Sequence, residues 1–191
     1  LFVEINFSEY VFTVGKRFEE NKFNLLYTNS VPNHGISENR ITDIELVLNT
    51  IRENIFVIEQ KINFTFKEVI IIIDNFDCSV INFLGYQKLN GSQLSKENIT
   101  YIINSLKTKI IETEKKSRII HIFNSSFHLD QKQIENLPIG LFGDFYSHEL
   151  SFLLGNENDF KNLEHVFNSC KLKIKKIISK SFADGVNLMS D

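Results

Sequence analysis

Apolar and polar residues alternate from the first position of the chain. Leu1–Phe7 and Tyr10–Gly15 carry β-branched and aromatic residues at every second position, which predicts a hairpin. Lys22–Asn29 continues as a third strand, and Pro32, Asn33, His34 and Gly35 mark a loop. The period then changes. Ile44, Val47, Leu48, Ile51, Ile55 and Ile58 recur at helical spacing, behind Thr42 or Asp43 as a cap, and predict a helix to about Gln60. "KEVIIIID", Lys67–Asp74, is a continuous apolar run that suits a strand buried on both faces.

The next stretch orders its elements differently. Val80–Leu89 reads as a strand. Ser95 opens a helix to about Glu114, with Ile99, Ile102, Ile103, Leu106, Ile110 and Ile111 on its apolar face. Arg118–Leu129 alternates as a long strand. A loop with Asn136, Pro138, Gly140 and Gly143 follows, and Tyr146–Leu154 is again a strand. Strand, helix, strand, strand makes a compact α+β unit. Beyond it, Asp159–Cys170 is helical, Leu172–Ile178 alternates with lysines as a strand, and Phe182–Met189 begins another helix. The pattern predicts an α/β domain, residues 1–74 and 156–191, interrupted by an α+β insertion, residues 75–155. No internal repeat or low-complexity segment stands out.

Composition narrows the reading. The 191 residues are 42% hydrophobic, enough for a core, and the net charge is −3, which argues against nucleic-acid binding driven by overall charge. No apolar run reaches the roughly 20 residues that span a bilayer, and no signal-peptide pattern opens the chain. Cys78 and Cys170 lie far apart and form no C-x-x-C pair, so they read as reduced, mostly buried thiols of a cytosolic protein. The chain starts at Leu1 and its one Met is Met189, which leads us to expect a piece of a longer protein.

Candidate chemistry is sparse. His121 and His128 are seven apart on one predicted strand, which puts them on opposite faces and away from a shared metal. His148 and Glu149 also point apart. His34 and His165 have no obvious partners. G-x-S-x-G, H-E-x-x-H, G-x-x-x-x-G-K-[ST] and G-x-G-x-x-G are all absent. Neither catalytic residues nor a metal site is expected. Asp74 and Asp77, at the end of a buried strand, are a minor candidate for Mg²⁺ against the plainer reading of a solvated loop. The lysine-rich Lys171–Lys180 stretch reads foremost as a guarded edge strand.

Several strings resemble the bacterial cell-division protein FtsA. They are "SVPNHGISENRITDIELVLNTIRENIFVIE" (Ser30–Glu59), "IIHIFNSSFHLD" (Ile119–Asp130), "NLPIGLFGDFYSHELSFLLG" (Asn136–Gly155) and "KNLEHVFNSCKLKIKKIISKSFA" (Lys161–Ala183). The resemblance covers essentially the whole chain and is diffuse. It implies an actin-like, ribonuclease H-like subdomain 1A at residues 1–74 and 156–191. The inserted subdomain 1C, of the strand–helix–strand–strand (SHS2) type, falls at 75–155. It also implies a scaffold of the divisome at the septum, acting by self-association and protein contact at the inner face of the cell membrane. In the family the FtsZ-binding part and the membrane-binding C-terminal helix lie in the second half, beyond the matching residues. A related possibility is the pilus-assembly protein PilM, which shares the inserted unit.

The resemblance further implies ATP with Mg²⁺. The family's first phosphate turn reads "DIGTSK". The matching positions here are Glu4, Asn6, Phe7, Ser8 and Glu9, of which only Ser8 and the acidic character of Glu4 persist. Phe7 is bulky where phosphate approaches, and Glu9 is negative where a cation belongs. One like-charge pair at about 4 Å and an effective dielectric near 20 costs about 4 kcal/mol, more than the ~1 kcal/mol net gain of a hydrogen bond. Lys180 also stands where the family has Glu. The expectation is a degenerate phosphate turn with weak or absent ATP binding, in a protein that is not an enzyme, against the alternative of an ATP-dependent switch. In the insertion, Asn136, Pro138, Gly140, Leu141 and Phe142 form the expected partner surface. The same residues also fit a loop folded back onto the core.

Overall fold

The opening alternation builds a meander. Strands β1 (Phe2–Ile5), β2 (Glu9–Glu19) and β3 (Lys22–Pro32) each run antiparallel to the next. The computed structural model describes residues 1–19, 22–74 and 76–189. A small hairpin follows, β4 (Ile36–Ser37) and β5 (Arg40–Ile41). Glu38 and Asn39 form its turn with φ of 50° and 62°, the left-handed pair that suits a tight hairpin. Gly35 is needed before it, because its φ is +88° and an added Cβ would lie 2.5 Å from the Asp43 carbonyl oxygen.

Helix α1 (Ile44–Ile62) starts at Asp43, whose carboxylate accepts the Leu46 N–H at 3.0 Å, and ends at Asn63 in the left-handed conformation. It leads into β6 (Glu68–Ile73), which lies parallel to β1. Helix α3 (Glu157–Ser169) then feeds β11 (Lys173–Ser179), parallel to β6. The five-stranded sheet therefore runs β11-β6-β1-β2-β3. Helix α4 (Lys180–Met189) follows β11 directly. Alternate strand positions Val3, Ile5, Tyr10, Phe12, Val69, Ile71 and Ile73 are buried, as are Ile51 and Ile58 of α1 and Phe160, Leu163 and Phe167 of α3. Together they form the core of this unit. Ile70 and Ile72 are only half-buried. The isoleucine run is thus fully covered on one face rather than on both.

The second unit spans Cys78–Asn156, and the first comprises Leu1–Asp77 and Glu157–Asp191. Its elements are β7 (Cys78–Lys88), α2 (Lys96–Thr113), β8 (Ser117–Leu129), the short β9 (Lys132–Ile134) and β10 (Phe145–Asn156). The sheet order is β7-β10-β8-β9, antiparallel throughout. Ser95 and Asn98 close a reciprocal capping box at the start of α2. Ile99, Ile102, Leu106 and Ile110 of α2 pack with Tyr146, Leu150, Phe152 and Leu154 of β10. The approach is close at Gly85, where a Cβ would sit 2.3 Å from Ile102 Cγ2.

Three expectations are corrected. A bulge in β8 leaves Ser125 out of register, so that His121 faces Leu153 and His128 faces Ser147. The two histidines therefore share a face of the sheet, six β10 positions or about 20 Å apart. Cys78 is exposed and Cys170 half-buried, so the expectation of two mostly buried thiols does not hold. The third strand extends to Pro32, past the expected end at Asn29. Among the described residues no helix is long and apolar enough to cross a membrane.

Candidate functional site

The β1–β2 turn holds the five positions singled out for nucleotide. Glu4 lies on β1 and Glu9 opens β2. Asn6, Phe7 and Ser8 make the turn, closed by the Asn6 N–H donating to the Glu9 carbonyl at 2.9 Å. Asn33, just past β3, binds it from the side. Its backbone N–H donates to the Ser8 carbonyl at 2.9 Å and its Nδ2 to the Asn6 carbonyl at 2.7 Å. Phe7 projects outward, 70% exposed. The buried Oδ1 atoms of Asn6 and Asn33 carry no hydrogen bond. Both are acceptors, the wrong polarity for a phosphate oxygen.

Behind the turn, at the C-terminal ends of β1 and β6, stand Glu4 and Asp74. The Lys180 ammonium lies 2.6 Å from Glu4 Oε1 and 3.9 Å from Asp74 Oδ2. Its hydrogen bond to Glu4, with the charges of Glu4, Asp74 and Asp184, holds the ammonium pKa above the usual lysine range. The turn presents the Phe7 ring, the Ser8 hydroxyl and acceptor oxygens, while Glu4 and Asp74 already face a cation that belongs to the chain. Lys180 drew notice in the sequence only as a mismatch. Its ion pair bridges the two ends of the chain, which no local pattern reveals.

A second polar group gathers nearby in the same unit. Asn39 Nδ2 donates to Asp77 Oδ1 at 3.0 Å. The Asp159 carboxyl is pushed up by burial and by Asp77, against the opposing pull of Arg40. Asp77 is thus tied to the β4–β5 turn, a hairpin too short to announce itself by alternation. Among the described residues no group of three or more His, Cys, Asp or Glu side chains is placed to hold a metal.

The expected partner loop of the second unit is pinned by its backbone. The Gly140 N–H donates to the Leu94 carbonyl and the Leu94 N–H to the Leu141 carbonyl, each at 2.9 Å. The Gly91 N–H reaches the Gly143 carbonyl at 3.0 Å. Asp130 Oδ1 accepts the N–H groups of Asp144 and Phe145 at 2.8 and 2.9 Å. Gly140, with φ of +86°, makes the reversal. Pro138 is buried and Asn136 exposed. Leu137, Ile139, Leu141 and Phe142 all stand exposed, Phe142 at 69%. The loop is anchored to the α2 entry, and apart from Pro138 its apolar side chains do not fold back onto the core.

No protein-family model matches the chain. The cell-division protein FtsA of Buchnera aphidicola subsp. Schizaphis graminum is 23% identical over 189 residues, 99% of this chain and 45% of that protein. FtsA of Neisseria meningitidis serogroup B is 19% identical over 189 residues, again 99% and 45%. FtsA of Rhizobium meliloti is 19% identical over 157 residues, 82% of this chain and 35% of that protein. The resemblance to FtsA read from the sequence is thus borne out over the whole chain, which spans about half the length of these relatives. Among solved structures, a chain of a PilM–PilN type IV pilus biogenesis complex superposes with a TM-score of 0.61. It is 10% identical and covers 95% of this chain and 47% of that one, a likeness of fold.

Proposed function

We propose that this chain belongs to a cell-division scaffold of the FtsA type that works by protein contact rather than by nucleotide turnover. The first unit corresponds in this reading to the actin-like subdomain 1A and the second to the inserted subdomain 1C. The scaffold self-associates and meets divisome proteins at the division site, on the inner face of the membrane. FtsZ and the membrane are engaged by regions outside the matched span. The carrying observation is the loop Asn136–Phe142. Large apolar side chains held outward by a hydrogen-bonded backbone are the form of a protein contact. The departures at Asn6, Phe7 and Glu9 from a phosphate turn, and the engagement of Glu4 by Lys180, support the absence of an enzymatic cycle.

A pilus-assembly role is the second reading, supported by the fold shared with the PilM–PilN complex chain. Depleting the protein in its native cell separates the two. Long cells without septa are expected. Normal septation with loss of surface pili would overturn the division reading.

A further inference from the structure

Lys180 occupies an unusual position. It is the first residue of α4, where the helix dipole is positive and a cation is disfavoured. No acidic residue follows in the first turn of that helix. The unfavourable placement is offset by side chains from elsewhere in the unit. Glu4 from β1 meets the ammonium at 2.6 Å and Asp74 from the end of β6 at 3.9 Å. Glu4 and Lys180 are half-buried, with 23% and 33% of their side chains exposed, and Asp74 sits at the solvent boundary with 36%. A divalent ion bound to Glu4 Oε1 would need oxygen contacts of about 2.0–2.6 Å, space that the ammonium already fills.

We propose that the Lys180 ammonium is the resident cation at the C-terminal ends of these two interior strands: a tethered charge that takes the place of a divalent metal between Glu4 and Asp74 and fixes the start of α4 to β1 and β6 without any ligand. The clamp is thereby always closed. A metal-dependent clamp would open and close with its ion, whereas this one is set by folding. The proposal deepens the nucleotide-free reading above. It is tested apart from it, because metal binding and cell division are separate readouts.

The test is Mn²⁺ binding to the full chain, followed by electron paramagnetic resonance, for the native protein and for Lys180→Gln. Lys180→Gln removes the tethered charge and leaves both carboxylates. Its Mn²⁺ affinity should rise at least about fivefold, the factor that one like charge about 4 Å away is worth even at the dielectric of water. Equal affinity in the two proteins would overturn the proposal. Should the variant fail to fold, reductive methylation of the native protein decides. Lys180 should be modified far more slowly than the exposed Lys115 or Lys173, and equal rates would contradict the clamp.

Discussion

The two loops singled out above solve opposite problems. The C-terminal ends of the interior strands β1 and β6 gather charge and satisfy it internally, through Glu4, Asp74 and Lys180. The loop Asn136–Phe142 of the second unit gathers apolar side chains and leaves them in water. Both are rigid for similar reasons, since Asn33 holds the turn beside Glu4 and Leu94 holds the loop beside Phe142. The difference is that one has its partner within its own unit and the other does not. A polar site closed from within does not need a ligand to be stable. An apolar surface that stays exposed despite an ordered backbone is complete only when something covers it.

The widest gap between buried and displayed aromatics should appear within the second unit itself. Phe152 is fully buried against Phe83, with ring centroids 6.3 Å apart, and Phe152→Ala should cost about 3–5 kcal/mol in urea unfolding. Phe142→Ala should cost less than about 0.5 kcal/mol, because its ring touches little in the monomer. A large loss at Phe142 would mean that the loop serves folding rather than contact.

At the charged strand ends, Glu4→Gln removes the closer carboxylate from Lys180. We expect a loss of about 1–2 kcal/mol, between the value of a charged hydrogen bond and that of an exposed ion pair. Adding the variant Lys180→Gln to Glu4→Gln should cost less than the sum of the two, and strict additivity would show that the pair does not interact.

Protonation gives a smaller effect, confined to the second unit. His148 is buried, 3.0 Å from Asn124 Oδ1, and burial lowers its pKa below the usual 6.5. The unfolded chain therefore takes up a proton before the folded one does. Stability should fall as the pH drops below about 6.5, by up to about 1.4 kcal/mol per pH unit until the folded imidazole also protonates. His148→Gln should flatten that part of the profile, and an unchanged slope would assign it to other groups. Least of all, Ser95→Ala should cost about 1 kcal/mol through loss of the α2 cap.

Much of this architecture was legible in the sequence, for physical reasons. Helical period marked Ile44–Ile58 and Ile99–Ile110 because one face of each helix is buried and the other wet. Alternation marked β2 and β10 for the same reason. It failed at β8, where a bulge at Ser125 reverses which residues share a face and brings His121 and His128 to one side. A bulge is a backbone event that leaves little trace in composition. The β4–β5 hairpin and β9 were missed because strands of two or three residues are too short to show a period. The altered turn from Glu4 to Glu9 was visible as a departure from the FtsA pattern, but the Lys180–Glu4 contact joins opposite ends of the chain. The apolar loop was legible as a candidate, while its outward display depended on hydrogen bonds to Leu94 and Gly91 that no spacing announces.

Sedimentation velocity of the full chain over a range of concentrations, with and without Mg²⁺–ATP, tests the central claim most directly, with Leu141→Asp/Phe142→Asp as the partner sample. The account predicts concentration-dependent association that ATP leaves unchanged and that the double variant abolishes. Association that appears only with ATP, or that survives in the double variant, would contradict it.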